Sequence, residues 1–275
     1  MSSTGVARRV LGIDTATRAG SVALVEASDD GPAARLAEVT HGENLRHAET
    51  LLPAIDRCLE QARCRLEDVH GIAVSIGPGS FTGLRVGLAT AKGLALATGA
   101  WLVGVPTLEA YARAVAGRPG PICVCLDARK GEVYSALFAT AGPPARGLRR
   151  LLEDGVEGPG QAAVRVVAGL DRVRAGSRLR EVQPTLRELG STLRVVGDAA
   201  ERYPGELVAV LRRSVSVEAL PETARGRAAA VAELGLVRFR EDGPADASLL
   251  GPAYLRASEA ELRRRETLRE PRETH

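Results

Sequence analysis

Two segments far apart in the chain follow one pattern, and that repetition limits the folds open to it. "RRVLGIDTATRAGSVALVEA" opens with an apolar run from Val10 to Ile13, crosses a polar corner from Asp14 to Gly20, and resumes with Val22, Leu24 and Val25. "PICVCLDARKGEVYSALFA" runs through the same strand, polar turn and strand. Elsewhere strand-like runs alternate with helix-period stripes, which predicts an α/β fold. The two similar openings predict a duplicated architecture with one hairpin at the head of each lobe. A chain of 275 residues is comfortable for two lobes, since domains commonly run to roughly 100–200 residues.

Between the openings, "ARLAEVT" offers a third strand. From Asn44 onward Leu45, Ala48, Leu52, Ile55, Leu59 and Ala62 form an amphipathic helical stripe, with Pro53 inside it predicting a kink or a fresh start. "GIAVSIG" is a buried strand that feeds "SIGPGSFTGLR", Ser75 to Arg85. A glycine-rich corner before a helix can cradle an anion on unpaired N–H groups, or it can simply join strand to helix. The phosphate signatures are missing, because Gly83 is followed by Leu84 and Arg85 and the glycines stand at 77, 79 and 83. In the helix that follows, Gly83, Gly87 and Ala91 recur every fourth position, so another backbone can approach closely, either the chain's own sheet or a neighbouring helix or subunit.

Farther on, the Gly-, Pro- and Arg-rich stretch 142–190 reads as an irregular excursion. "TLRVVGDAA" is a late strand into a glycine corner, "PETARGRAAAVAELGL" is a helix, and the mixed-charge tail 256–275 is expected to fray. These readings divide the chain into an N-terminal lobe, 1–106, a C-terminal lobe, 107–255, and the tail.

Composition narrows the function. A formal charge of +3 and 3% aromatic residues argue against a stacking platform for unpaired bases, so any nucleic-acid role is indirect. No stretch approaches the ~20 apolar residues of a membrane span, and "MSSTGVARRVLGID" lacks a signal-peptide core, so a cytoplasmic location away from membranes is expected. Cys58, Cys64, Cys123 and Cys125 fall as C-x5-C and C-x-C, not as zinc-binding C-x2-C pairs, and read as buried reduced thiols, with Cys123 and Cys125 on one strand face.

"LGIDTATRAGSVAL", "GPGSFTGLRVGLATAKGLALATGAWLVGVPTLEA", "LDARKGEVYSALF" and "PAYLR" resemble, in order and spacing, the TsaB family of bacterial tRNA threonylcarbamoyladenosine biosynthesis proteins. The resemblance implies the actin, sugar-kinase and Hsp70 fold of two ribonuclease-H-like lobes. It also implies a place in the complex that puts a threonylcarbamoyl group on the adenosine next to the anticodon. The catalytic subunit there is a paralogue, TsaD, which holds a metal through two histidines four apart. Here Leu51 stands four residues after His47, and His41 stands six before it, so no such clamp forms and no metal is expected.

The superfamily's nucleotide loops look eroded in this chain. Asp14 and Thr15 lead a turn that has Ala16 where glycine is usual, and Gly197 is followed by Asp198 and Ala199. Asp14 can serve simply to cap its own turn. The resemblance therefore implies a non-catalytic subunit without a tightly bound cofactor, in a complex that uses ATP and threonylcarbamoyl-AMP. Its implied partners are a TsaD-like paralogue, a TsaE-like ATPase and, indirectly, tRNA, with a homodimer when the chain is alone. The implied partner interface comprises His47, Leu51, Gly79, Ser80, Phe81, Thr82, Gly83, Arg85, Gly87 and Ala91, with Ser80 or Thr82 capping the helix.

Two rivals stay open on residues alone. One is an independent ATP-dependent phosphotransferase of the same superfamily. The other is a metal-dependent peptidase-like protein, for which His41, His47, His70 and His275 offer no usual ligand spacing.

Overall fold

The structure is a computed structural model that describes residues 7–28, 32–41, 47–140, 147–174, 192–221 and 226–255. The tail 256–275 and residues 142–146 and 175–190 of the expected excursion lie outside them. Strands β1 (Arg8–Asp14), β2 (Gly20–Ala27), β3 (Ala34–His41), β4 (Gly71–Gly77) and β5 (Trp101–Pro106) form one sheet in the order β3-β2-β1-β4-β5. Neighbours β1/β2 and β2/β3 are antiparallel, and β1/β4 and β4/β5 are parallel. The second sheet contains β6 (Gly120–Arg129), β7 (Glu132–Thr140), β8 (Leu148–Glu157), β9 (Thr192–Val196) and β10 (Ser216–Ala219), in the order β10-β9-β6-β7-β8. With β6 in the place of β1, order and polarity repeat strand for strand. The two hairpin openings thus head two lobes of ribonuclease-H-like topology.

Both faces of each sheet are covered, which is why the strands read as nearly continuous apolar runs. Strand alternation sends Leu11, Ile13, Val22, Leu24, Ile72 and Val74 toward α1 (His47–Ala62) and α2 (Phe81–Thr98). The opposite face, with Val10, Ala23, Val25 and Ala73, meets α7 (Arg227–Asp242), which follows the short helices α5 (Asp198–Arg202) and α6 (Ala209–Arg212). In the second lobe Cys123, Cys125, Val133 and Leu137 pack under α4 (Pro159–Arg174), while Ile122, Val124, Leu126 and Phe138 receive Leu108 and Tyr111 of α3 (Thr107–Ala114). Each lobe's closing helix therefore lies against the other lobe's sheet. Each fully buried leucine in these layers contributes roughly 1.5–3 kcal/mol, so the crossed helices bind the lobes together.

This crossing corrects the expected boundary after residue 106. Helix α7 returns to the first sheet because Gly12 leaves room for the backbone of Ala228, and Gly235 sits over Ala73. The chain then stays there, with Ala245 N–H donating to Leu102 O at 2.9 Å and Ala253 N–H to Ile76 O at 2.7 Å.

Two further expectations change. The stretch from Leu148 to Arg174 is regular, as β8 and α4, and α4 buries Ala162, Ala163, Val166, Leu170 and Val173 on one stripe. Two of its arginines are paired: Arg150 with Asp154, and Arg165 with Glu157 and Ser135. Helix α1 runs through Pro53, and its buried stripe is His47, Leu51, Ala54, Ile55, Cys58 and Leu59. Leu52, expected inside, is 53% exposed. Leu51, Ile55 and Leu59 carry this inner stripe, with His47, Ala54 and Cys58 completing it.

All four cysteines are free; Cys58, Cys123 and Cys125 are buried and Cys64 is half-buried. The Cys123 and Cys125 Sγ atoms lie 3.3 Å apart on the expected common face. Burial pushes the Cys58 thiol up to about 11. No described helix is long and apolar enough to cross a membrane.

Candidate functional site

The corner Ser75–Arg85 is built by β4, a cis Gly77–Pro78 bond and the start of α2. Gly77 has φ +122° and packs against Ala253 O, a conformation and a proximity that a side chain would not tolerate. Ser80 is the N-cap: its Oγ accepts from Gly83 N–H at 3.3 Å, while Thr82 plays no such part. The Ser80 N–H donates to Ala16 O at 2.7 Å, so the corner is clamped onto the first hairpin turn. Of the two readings of this corner, the geometry supports the strand-to-helix junction.

The inward side of α2 rests on that same turn. Thr15 Oγ1 donates to Gly83 O at 2.8 Å. A Cβ on Gly83 would overlap Thr15 O, and one on Gly87 would overlap Thr15 Oγ1. Ala91 is fully buried, as are Leu51 and His47 to within 2%. The small stripe Gly83, Gly87 and Ala91, together with Leu51 and His47, therefore serves the lobe's own interior instead of a partner. Close approach is needed because the polar turn leans over the helix.

Two histidines seal this corner. His47 Nε2 donates to Thr17 O at 2.8 Å, and His41 meets His47 edge-to-face with ring centroids 5.4 Å apart. Burial, reinforced by His47, lowers the pKa of His41 to about 4, so it is neutral at physiological pH. Among the described residues no three His, Cys, Asp or Glu side chains gather as a metal would require.

At the first turn Asp14 Oδ1 accepts from Ala16 N–H at 3.2 Å, the capping role open to it from sequence. Its Oδ2 lies 2.9 Å from Arg227 Nε, with both side chains 1% exposed. Arg227 also donates to Tyr111 OH and to Ala19 O, and Tyr111 OH donates to Thr17 Oγ1 at 3.1 Å. The fold class implies a metal–nucleotide group facing this carboxylate. The residues present do not fit it there, since the charge of Asp14 is already met by Arg227 and one oxygen by the turn itself. Sequence reasoning missed Arg227; the signal was an arginine at the head of an alanine-rich helix.

A cleft of about 460 Å³ does open between the two hairpin tips, lined by Thr17, Arg18, Ala19, Asp127, Arg129, Asp198, Glu201 and Arg202. Of the expected nucleotide positions, Asp198 lines it and Asp14, Thr15 and Gly197 do not. Asp198 Oδ1 accepts from Asp127 N–H at 2.8 Å, and burial raises its pKa. Asp127 is held by Arg202 at 3.4 Å and by Tyr203 OH at 3.2 Å. Gly197, at φ +115°, packs on Cys125 O.

The outward side of α2 is different. Thr82, Arg85, Ala89 and Leu96 follow one another along it, all exposed, with Leu96 86% and neighbouring Phe81 36% exposed. Arg85 lies over the Phe81 ring, 3.9 Å from its centroid, and its Nε donates to Tyr254 OH at 3.0 Å. Phe81 and Tyr254 stack at 5.0 Å. The expected interface positions thus split: Phe81, Thr82 and Arg85 face solvent, Gly79 and Ser80 are half-buried, and the remainder point inward.

Two lobes of ribonuclease-H-like topology with a cleft between their hairpin tips define the actin, sugar-kinase and Hsp70 class of fold. Within it the solved structure of YeaZ from Pseudomonas aeruginosa superposes with a TM-score of 0.66 at 24% identity, over 90% of this chain and all of that one. By sequence the chain is similar to TsaB proteins over about half its length. It is 39% identical over 132 residues to the tRNA threonylcarbamoyladenosine biosynthesis protein TsaB of Escherichia coli, covering 47% of this chain and 54% of that protein. It is 31% identical over 129 residues to the TsaB of Bacillus subtilis, with 47% and 54% covered. The family described as TsaD, tRNA N6-adenosine threonylcarbamoyltransferase, matches residues 39–144. The chain spans about half the length of the curated relatives it matches.

Proposed function

We propose that this chain is a non-catalytic subunit of the cytoplasmic machinery that forms N6-threonylcarbamoyladenosine next to the anticodon of tRNAs. It acts by pairing with a catalytic TsaD-like paralogue, works beside a TsaE-like ATPase, and meets tRNA only through the complex. ATP and threonylcarbamoyl-AMP are used by the assembly, and the chain pairs with itself when the paralogue is missing. The observation that carries this reading is the sealed first turn: Asp14 is committed to buried Arg227, while the outer side of α2 leaves Phe81 and Leu96 exposed. Similarity to TsaB proteins supports the pathway.

The test is co-purification of this chain with its organism's TsaD-like protein, followed by assay of tRNA modification with and without it. Association, and modification that depends on adding the chain, are expected. Modification at full rate without it contradicts the proposal. Micromolar ATP affinity of the chain alone, roughly −8 kcal/mol, favours the phosphotransferase reading instead.

A further inference from the structure

The cleft between the hairpin tips is balanced in charge. Its lining sets three arginines, Arg18, Arg129 and Arg202, against three carboxylates, Asp127, Asp198 and Glu201. A lining without net charge does not draw in a polyanion such as a nucleoside triphosphate, whose sites concentrate positive charge. Most of these groups are spent on one another. Arg129 and Arg202 both lie against Asp127, at 3.9 Å and 3.4 Å, and Tyr203 OH donates to it at 3.2 Å. Glu201 is engaged as well.

Two groups are left over, and they stand on opposite lobes. Arg18, exposed at the tip of the first hairpin, has no hydrogen bond or ion pair among the described residues. Asp198, at the head of α5, accepts from Asp127 N–H through Oδ1 at 2.8 Å, and its Oδ2 has no hydrogen-bond partner among the described residues. The Asp198 carboxyl is half-buried, and that burial raises its pKa, so its charged form gains from a cationic partner. A guanidinium bonds a carboxylate through two N–H groups. An ammonium, with three donors and no acceptor, suits the free carboxylate oxygen opposite.

We infer that this cleft is a binding site for a small zwitterion of the α-amino acid class, its carboxylate on Arg18 and its ammonium on Asp198 Oδ2. Such a ligand matches a lining that is charged in its parts and neutral as a whole; a lone anion or a lone cation matches only half of it. The ligand bridges the hairpin tips of the two lobes and so stabilises the folded chain by linkage. The cleft lies apart from the outer side of α2, and the inference does not depend on the pairing proposed above.

The experiment is calorimetry of the full chain with L-alanine, whose side chain adds no charge, beside acetate, methylammonium and Mg-ATP. L-Alanine is expected to bind with a Kd of about 1 mM or tighter. Acetate and methylammonium should each bind at least about 10-fold more weakly, because each engages one anchor only. Arg18→Ala and Asp198→Asn should each weaken L-alanine by at least about 10-fold, and Arg18→Ala, at an exposed site, should leave the melting temperature unchanged. A wild-type chain that binds no L-alanine up to about 10 mM overturns the inference. Affinity that Arg18→Ala leaves unchanged puts the ligand elsewhere and overturns it too. Both of these outcomes leave the proposed pairing as it stands. Binding of Mg-ATP that Arg18→Ala removes gives the cleft to a nucleotide, which overturns the inference and favours the phosphotransferase reading.

Discussion

The two sides of α2 are close in residue size and opposite in use. Gly83, Gly87 and Ala91 face the first hairpin turn, where Thr15 occupies the space that side chains would need. Ala89 and Gly93, equally small, lie on the solvent side, and a Cβ at Gly93 meets nothing within 4 Å. Small residues in a helix thus mark close approach only where another backbone is present, and the sequence alone does not say which side that is. On the inner side the helix is a structural floor for a sealed turn. On the outer side it faces solvent, and this is the side on which the proposed pairing would fall. The comparison makes a sharp demand: changes on the inner side should act on stability, and changes on the outer side on association.

Removing the charge that seals the turn gives the largest effect. Arg227→Ala leaves the Asp14 carboxyl at 1% exposure without its partner, and a denaturant titration should show roughly 3–5 kcal/mol of lost stability. Next comes Gly87→Leu, which forces a side chain into the position of Thr15 Oγ1. Overpacking of this kind costs about 1–3 kcal/mol, and the upper end is expected because the obstacle is a turn clamped by the Ser80 and Gly83 bonds. A mutant that melts like wild type would break the comparison at its inner side.

Acid should loosen the same corner. His41 has a pKa of about 4 when folded, against an ordinary 6.5, so between these values the unfolded chain binds more protons than the folded one. Stability is therefore intact above pH 6.5 and falls as pH drops toward 4. The loss reaches about 3 kcal/mol when complete. His41→Gln should flatten this slope between pH 6.5 and 4, as read by chemical denaturation at several pH values; an unaltered slope would remove His41 as its source.

The duplicated hairpins were legible because strand alternation survives in any covered sheet: Val10–Ile13 and the PICVCLDA run announce themselves. The crossing of α3 and α7 was not, since helix period shows that a face is buried but not under which sheet. Helix α4 was hidden by arginines at 165 and 172, although its Ala162, Val166, Leu170 spacing is helical. Within the candidate site, Asp14 as turn-former followed from residue type and position, while the cap stayed open between Ser80 and Thr82 until the fold selected Ser80. Arg227 and Tyr254 could not, because each meets its partner across more than 160 residues of chain, and only the fold supplies that contact.

The smallest effect on stability is also the most direct test. Leu96→Asp lies on the outer side, at a residue 86% exposed, and should change stability by no more than about 0.5 kcal/mol. Size-exclusion chromatography of this mutant with the TsaD-like paralogue, run beside wild type and accompanied by a thermal melt, addresses the central claim that α2 docks by its outer side. The account predicts that the co-eluting complex is lost while the melting temperature stays unchanged. A mutant that still co-elutes as wild type does, with its fold intact, would contradict it.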